Sequence, residues 1–363
     1  MKNNKNVITS KQLIFMIIGA TIGVGILTLA STIARESRQD AWISTIIGAL
    51  LPVAGLFTIN LITSRYPDHT FAEFSETILG KWPGKALSLL FILYALIFAS
   101  IVTRIFVSIL KMYLFPMTPI WALSALILFV AAYLASQDAR VLARVNELMF
   151  FEALVLFAFL IGSAFQIDLT FFQPVGGSGL LNILKGAYHT AFSYLGIELL
   201  LVISPMVRNK REIIKAGLIA IIIITFIYLL VVVISTGVFG PDVLERLRFA
   251  LMVIQKTYTA PVIERAEFFF IIFWVFVAFR PAANMYFASR YTAQKVLGFN
   301  SPGILTVLLF PLALIISLVP RNLEQALHYS SIIGFFGMGF MLMVPVFLLL
   351  VRFIRMSLGG KHG

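Results

Sequence analysis

Long apolar runs, separated by short polar and basic stretches, dominate the chain, and about 20 consecutive apolar residues are what a helix needs to cross a bilayer. The pattern predicts spans at 12–34, 41–63, 87–112, 119–136, 146–166, 180–205, 216–239, 262–294, 303–319 and 329–354. The expected fold class is an all-α polytopic membrane protein with ten transmembrane helices, and an even number leaves both termini on one side. Two connections are longer than the rest, 64–85 and 240–261. Both carry amphipathic helical spacing: Phe71, Phe74 and Ile78 opposite Glu73, Glu76 and Thr77, then Val243, Leu247, Leu251 and Ile254 beside Glu245, Arg246 and Lys256. A helix lying on the membrane surface fits this pattern. So does a gate, or a docking face for another subunit.

Glycines interrupt two of the spans at matching places in the two halves. Gly19-Ala-Thr-Ile-Gly23-Val-Gly25 breaks the first and Phe192-Ser-Tyr-Leu-Gly196-Ile-Glu198 breaks the sixth. Glycine costs about 1 kcal/mol against alanine inside a helix, and a break frees N–H and C=O groups that lipid cannot satisfy. Paired breaks point to a midplane substrate site between inverted repeats, here about 11–167 and 179–355 within one domain, 1–363. Half-helix amides suit a carboxylate and freed carbonyls suit an ammonium, so a zwitterion matches the pair. Gly19 and Gly23 also fit a small-xxx-small packing pattern, which leaves close helix contact open as the reason for the first break.

Composition narrows the class further. The chain has 363 residues, 60% hydrophobic and 12% charged, with a mean hydropathy of +0.98, which excludes an ordinary soluble domain. The formal charge of +12 sits in short loops rather than along one face, so it reads as a topology signal and not as a nucleic-acid surface. Lys81, Lys85, Arg208, Lys210, Arg211 and Lys215 belong to the denser set, which places both termini in the cytoplasm. The first apolar run has no cleavage pattern and reads as a retained helix. No cysteine is present, His69, His189, His328 and His362 are scattered, and neither a Walker loop nor a GxSxG elbow occurs. No catalytic centre, metal or cofactor is expected.

A few residues carry candidate chemistry. An ionisable side chain at the bilayer centre costs about 2.5 kcal/mol or more unless paired or wet, so Glu198 reads either as a structural carboxylate of the unwound turn or as a proton-sensitive latch. Glu152 is a second buried-acid candidate for gating, with pairing to Arg144 or Lys215 as the alternative. Arg280 precedes Pro281 in mid-span, and helical spacing sets Phe276, Arg280, Ala283, Asn284 and Phe287 on one face toward a cavity. Arg280 either touches ligand or pairs for assembly. Tyr94 and Phe98, one turn apart, form either an aromatic wall over a small ligand or ordinary core packing. Arg104 snorkels or pairs.

Gly23-Val-Gly25-Ile26-Leu27 and Gly196-Ile-Glu198 are similar to the broken first and sixth helices of the amino acid, polyamine and organocation transporter superfamily. Ile8-Thr-Ser-Lys-Gln12, Asp40-Ala-Trp42, Tyr66-Pro67 with Gly80-Lys-Trp82, and Arg265-x-Glu267 together resemble its spore-germination permease branch, the B subunits of germinant receptors. The resemblance implies a 5+5 inverted-repeat fold and a small germinant, often an amino acid, at the broken helices. It also implies action beside a larger A subunit and a lipoprotein C subunit in the inner spore membrane. Carried over by residue, the amide cradle falls on Thr21, Gly23, Val24 and Gly25, and its counterpart on Phe192, Ser193, Leu195 and Gly196. Two functions follow as expectations: a sensor whose ligand shifts a helix equilibrium read by partner subunits, or a proton- or cation-coupled amino acid transporter.

Overall fold

Thr9 opens the first helix with a capping box: its hydroxyl accepts from the Gln12 N–H at 3.2 Å, and Gln12 Oε1 accepts from the Thr9 N–H at 3.0 Å. The helix so started is α1 (Ser10–Thr21), and it stops at a short non-helical stretch before α2 (Ile26–Ser37) continues the span. The computed structural model describes residues 7–257, 266–299 and 301–359. Among these residues, a parallel bridge between Ile8 and Val207 is the sole strand-like pairing.

The elements that follow are α3 (Ala41–Gly48), α4 (Leu50–Thr63), α5 (Phe71–Leu79), α6 (Lys81–Tyr113), α7 (Ile120–Ser136) and α8 (Ala139–Gly162). Then come α9 (Leu180–Phe192), the short α10 (Leu200–Ile203), α11 (Ile213–Leu244), α12 (Ala250–Thr257), α13 (Ala266–Leu297), α14 (Pro302–Leu318), α15 (Leu323–Met338) and α16 (Val344–Gly359). A π-helical segment, Gly339–Met343, joins the last two. Six helical stretches among the described residues are long and apolar enough to cross a membrane, or seven when 180–192 and 197–206, bent by 43°, count as one span. Three shorter apolar helices, Ser10–Thr21, Ile120–Ser136 and Pro302–Leu318, complete the set. The protein is a helical membrane protein, and every apolar run read from the sequence falls on a helix within the described residues.

At the centre α6 and α13 run against each other, with Phe106 edge-on to Trp274 at 5.3 Å and the Ser289 hydroxyl donating to Ile92 O at 2.9 Å. Around them α1 packs between α8, α11 and α13. Lipid gives no hydrophobic reward for such contacts, so close packing and interhelical hydrogen bonds hold the bundle together. Arg104 pairs rather than snorkels: its guanidinium donates to Pro320 O at 2.9 and 3.1 Å, satisfying carbonyls just beyond α14.

The first amphipathic connection is docked on protein; the second is not one helix, since Val243 lies at the end of α11, Leu247 lies between helices, and only Leu251 and Ile254 lie on α12. Phe71, Phe74 and Ile78 are buried where α5 meets α6 and α16, and Leu251 and Ile254 are buried where α12 meets α2 and α13. The apolar face of the first is covered by helices rather than by lipid, whereas in the second Val243 is exposed and Leu247 half-buried. A third long connection, 163–179, goes beyond the two expected from the sequence. Asp40 pins it: the buried carboxylate accepts from Gly176 N–H at 2.7 Å, Ser178 N–H at 2.9 Å and the Ser178 hydroxyl at 2.6 Å. Asp40 thus has a structural reason to open α3. Arg265 of the Arg265-x-Glu267 motif, and His362, lie outside the described residues.

Candidate functional site

The two interruptions touch. Gly196 has φ +121°, and a Cβ built on it would stand 2.5 Å from Ala20 O and 2.9 Å from Thr21 N. Only glycine allows this backbone conformation and this approach together. Gly23 packs closely as well, since a Cβ there would lie 2.5 Å from Pro281 Cγ on α13. Close contact is thus part of the reason for the first break. Gly25 differs: no atom lies within 4 Å of a Cβ built on it.

Hydrogen bonds fix the second break from three directions. The Tyr228 hydroxyl of α11 donates to Ser193 O at 2.7 Å. Glu198, fully buried, accepts from the Gly196 N–H at 2.8 Å through Oε2 and from the Tyr94 hydroxyl of α6 at 2.5 Å through Oε1. A buried carboxyl group needs such donors to offset its lost hydration. Glu198 therefore closes the turn it stands in and ties that turn to α6. At the first break the N–H groups of Gly23, Val24 and Gly25 donate to no backbone or side-chain acceptor among the described residues. They precede α2, where unpaired amides and the helix dipole favour a negative group.

Between the breaks opens a cleft of about 660 Å³. Its floor is Thr21, Gly23, Val24 and Gly25, and its walls include Phe98 of α6 with Phe192, Ser193 and Leu195 of the second break. Further out, Thr28, Ser31, Thr32 and Arg35 line it from α2, Glu324 and His328 from α15, and Arg248 and Phe249 from the approach to α12. Thr21 Oγ1 and Ser31 Oγ are buried without hydrogen-bond partners. The cleft so combines free amides with an apolar and aromatic wall, the makeup of a site for a small amphipathic molecule.

Several expected residues are placed elsewhere. Tyr94 lies beneath Phe98, their rings 6.1 Å apart, and its hydroxyl is committed to Glu198, so it supports the wall without lining the cleft. Gly196 serves the contact with α1. Phe276, Arg280 and Ala283 do not line the cleft; Pro281 does. The reason is rotation, because successive residues stand about 100° apart around a helix. Arg280 borders a small apolar chamber with Ile18, Phe150 and Trp274, and its Nε and Nη1 have no hydrogen-bond partner. Asn284 instead exchanges hydrogen bonds with Asn146 of α8 at 2.9 and 3.0 Å. Glu152, expected to be buried, is exposed on α8. Its helix turns that position away from the core, while the next residue, Ala153, is buried.

Sequence reasoning passed over the polar stripe of α2. Thr28, Ser31, Thr32 and Arg35 follow i, i+3, i+4, i+7 spacing in a helix whose other residues through Ala34 are apolar, which is itself a signal that one face meets water or ligand. Ser330 and Ser331 on α15 also line the cleft, and isolated serines in a span carry no comparable signal.

Comparison with known proteins places the chain in a family. A family model described as "Spore germination protein" matches residues 7–326. The chain is 24% identical over 348 residues to spore germination protein YndE of Bacillus subtilis, covering 95% of this chain and 96% of that one. It is 26% identical over 353 residues to spore germination protein KB of Bacillus subtilis, covering 95% and 94%, and 25% identical over 327 residues to spore germination protein GerQB of Bacillus cereus, covering 88% and 89%. With most of its length matched and its helices interrupted where the motifs predict, the chain belongs to the spore germination permease family.

Proposed function

We propose that this chain is a germinant-sensing membrane subunit. A small nutrient, an amino acid in this reading, binds in the cleft between the broken first and sixth spans, and its binding shifts the balance between two helix arrangements. The observation that carries the reading is the row of unpaired N–H groups at Gly23, Val24 and Gly25, which borders an open cleft beside the rings of Phe98 and Phe192. A carboxylate fits the amides, and an apolar side chain fits the rings. Membership among spore germination proteins supports a role in germination rather than nutrition. The reading includes ten spans in a 5+5 inverted repeat, both termini in the cytoplasm, the inner spore membrane as location, and receptor A and C subunits as partners. The apolar helices, two broken spans and basic loops support it.

A proton- or cation-coupled transporter is the competing reading, and the buried Glu198 at a helix break is the observation that favours it. Reconstitution decides between them. Purified chain in liposomes is given labelled L-alanine, L-valine or other amino acids under an imposed proton gradient. The sensor reading expects saturable binding without accumulation; robust accumulation by the chain alone would establish the carrier instead.

A further inference from the structure

At the end of the molecule that holds the Ile8–Val207 bridge, the last turn of α4 and the start of α11 enclose a second polar cavity of about 260 Å³. Asn60, Thr63 and Ser64 line it from one side, and Ser204, Lys210 and Arg211 from the other. No acidic residue is among the lining residues. Lys210 Nζ donates to Ser204 O at 2.8 Å, which uses one of the ammonium's three donors and leans it across the cavity edge. The Arg211 guanidinium has no acceptor among the described residues. The neighbouring acid, Glu212, is engaged elsewhere: it accepts from the Ser10 hydroxyl and from Asn209 Nδ2. Asp68 is near enough to act on Lys210, yet it lies outside the lining.

The cavity also stands at an informative depth. The apolar stretches 26–63 and 210–244 both end at its wall, which sets it at the boundary between hydrocarbon and water where lipid phosphates lie. Beside it Leu61 is exposed and Ile214 half-buried, a surface on which glycerol and acyl carbons can rest. Two cations, one of them a planar fork able to hold two oxygens at once, with the Asn60 amide opposite, match a phosphate better than a single carboxylate. The Thr63, Ser64 and Ser204 hydroxyls already donate to Ile59 O, Leu61 O and Leu200 O. We propose that this cavity binds a phosphate group, carried by the headgroup of an anionic phospholipid or supplied as free phosphate. The site shares no residue with the germinant cleft, so neither proposal depends on the other.

The test uses the full chain in a neutral detergent. Thermal unfolding is followed with phosphatidylglycerol, with phosphatidylcholine and with inorganic phosphate, for the wild type, Arg211→Gln, Lys210→Gln and the double variant. Gln keeps an N–H donor near each position, so the unliganded proteins should unfold at similar temperatures. Protection by phosphatidylglycerol beyond phosphatidylcholine, weakened about fivefold in affinity by each substitution, supports a lipid phosphate. Protection by inorganic phosphate with the same sensitivity supports the soluble source. Lys81→Gln, an exposed cation outside the cavity, should change neither. Loss of protection equal to that of Arg211→Gln in this control, or protection in the double variant equal to wild type, or no protection by either phosphate compound, would overturn the proposal.

Discussion

The Tyr94 hydroxyl donates to Glu198 Oε1 at 2.5 Å, joining the middle of α6 to the break between α9 and α10. Phe340, in the π-helical segment between α15 and α16, lies on the Tyr94 ring at 5.1 Å, so the same tyrosine also meets the last span. Leu195, which lines the cleft, is three residues before Glu198, and Gly337 on α15 abuts both Leu195 Cδ2 and the Tyr94 hydroxyl. A ligand that presses on Leu195 therefore acts on a packed junction of three spans. Such junctions switch between discrete arrangements more readily than they deform.

Replacing Tyr94 by Phe should leave Glu198 Oε1 without its donor, at a cost of about 1–3 kcal/mol for a buried polar group. The expected result is a lower unfolding temperature and a shifted germinant dose–response. Unchanged values for both would remove the latch from the account.

Glu198→Gln keeps the shape but offers one acceptor where Tyr94 and Gly196 present two donors. The turn should loosen, changing the germinant concentration that gives half-maximal response while ligand still binds. Dose–response curves beside direct binding measurements check this; a variant with both curves at wild-type positions contradicts it.

Phe98 and Tyr94 should part company in specificity. Phe98→Leu alters the cleft wall and should re-rank amino acids that differ by one methylene, by roughly 1–3 kcal/mol. Tyr94→Phe should leave the ranking intact, because Tyr94 does not line the cleft and the change keeps the ring that packs under Phe98. Reversal of these two outcomes would place the ligand deeper than the cleft floor.

Outside the spans, Glu73 offers a pH test. Burial raises its carboxyl pKa, but the Thr70 N–H and hydroxyl and the Lys295 ammonium outweigh that and hold it below the ordinary value of 4.5. A folded-state value below the unfolded one means stability that is complete above pH 4.5 and lost as pH falls through the folded-state value. Protection factors of the α5 amides, each rate taken relative to its intrinsic rate at the same pH, should fall as pH drops below 4.5, and Glu73→Gln should remove most of that pH dependence.

The apolar helices and both breaks were legible in the sequence because they rest on apolar run length and on glycine, signals that a bilayer enforces. Thr21, Gly23, Val24 and Gly25, with Phe192, Ser193 and Leu195, were implied by the resemblance to the transporter superfamily and Phe98 by helical spacing, and all of them line one cleft. Rotation about a helix axis was not. Arg280 and Pro281 differ by one position, yet one borders an apolar chamber and the other the cleft. Periodicity tells which residues share a face, while the partner of that face is set by tertiary packing. Glu152 shows the same limit, since an acid within a span is buried only if its side of the helix meets protein. The loop held by Asp40 was illegible because its anchor is 136 residues away from Gly176.

Gly25 gives the most direct test of the central claim, that ligand lies against the break of the first span. Its backbone is helical, at φ −62° and ψ −27°, and a side chain there would enter open cleft, so Gly25→Val should fold and insert normally. Gly196→Ala, whose Cβ has no room, is the contrast and should fail to accumulate as folded protein. The deciding measurement is the thermal stabilisation of purified wild-type and Gly25→Val protein by the amino acid that triggers the wild type. The account predicts equal unfolding temperatures without ligand and loss of the ligand-induced rise in Gly25→Val; an undiminished rise in the variant would contradict it.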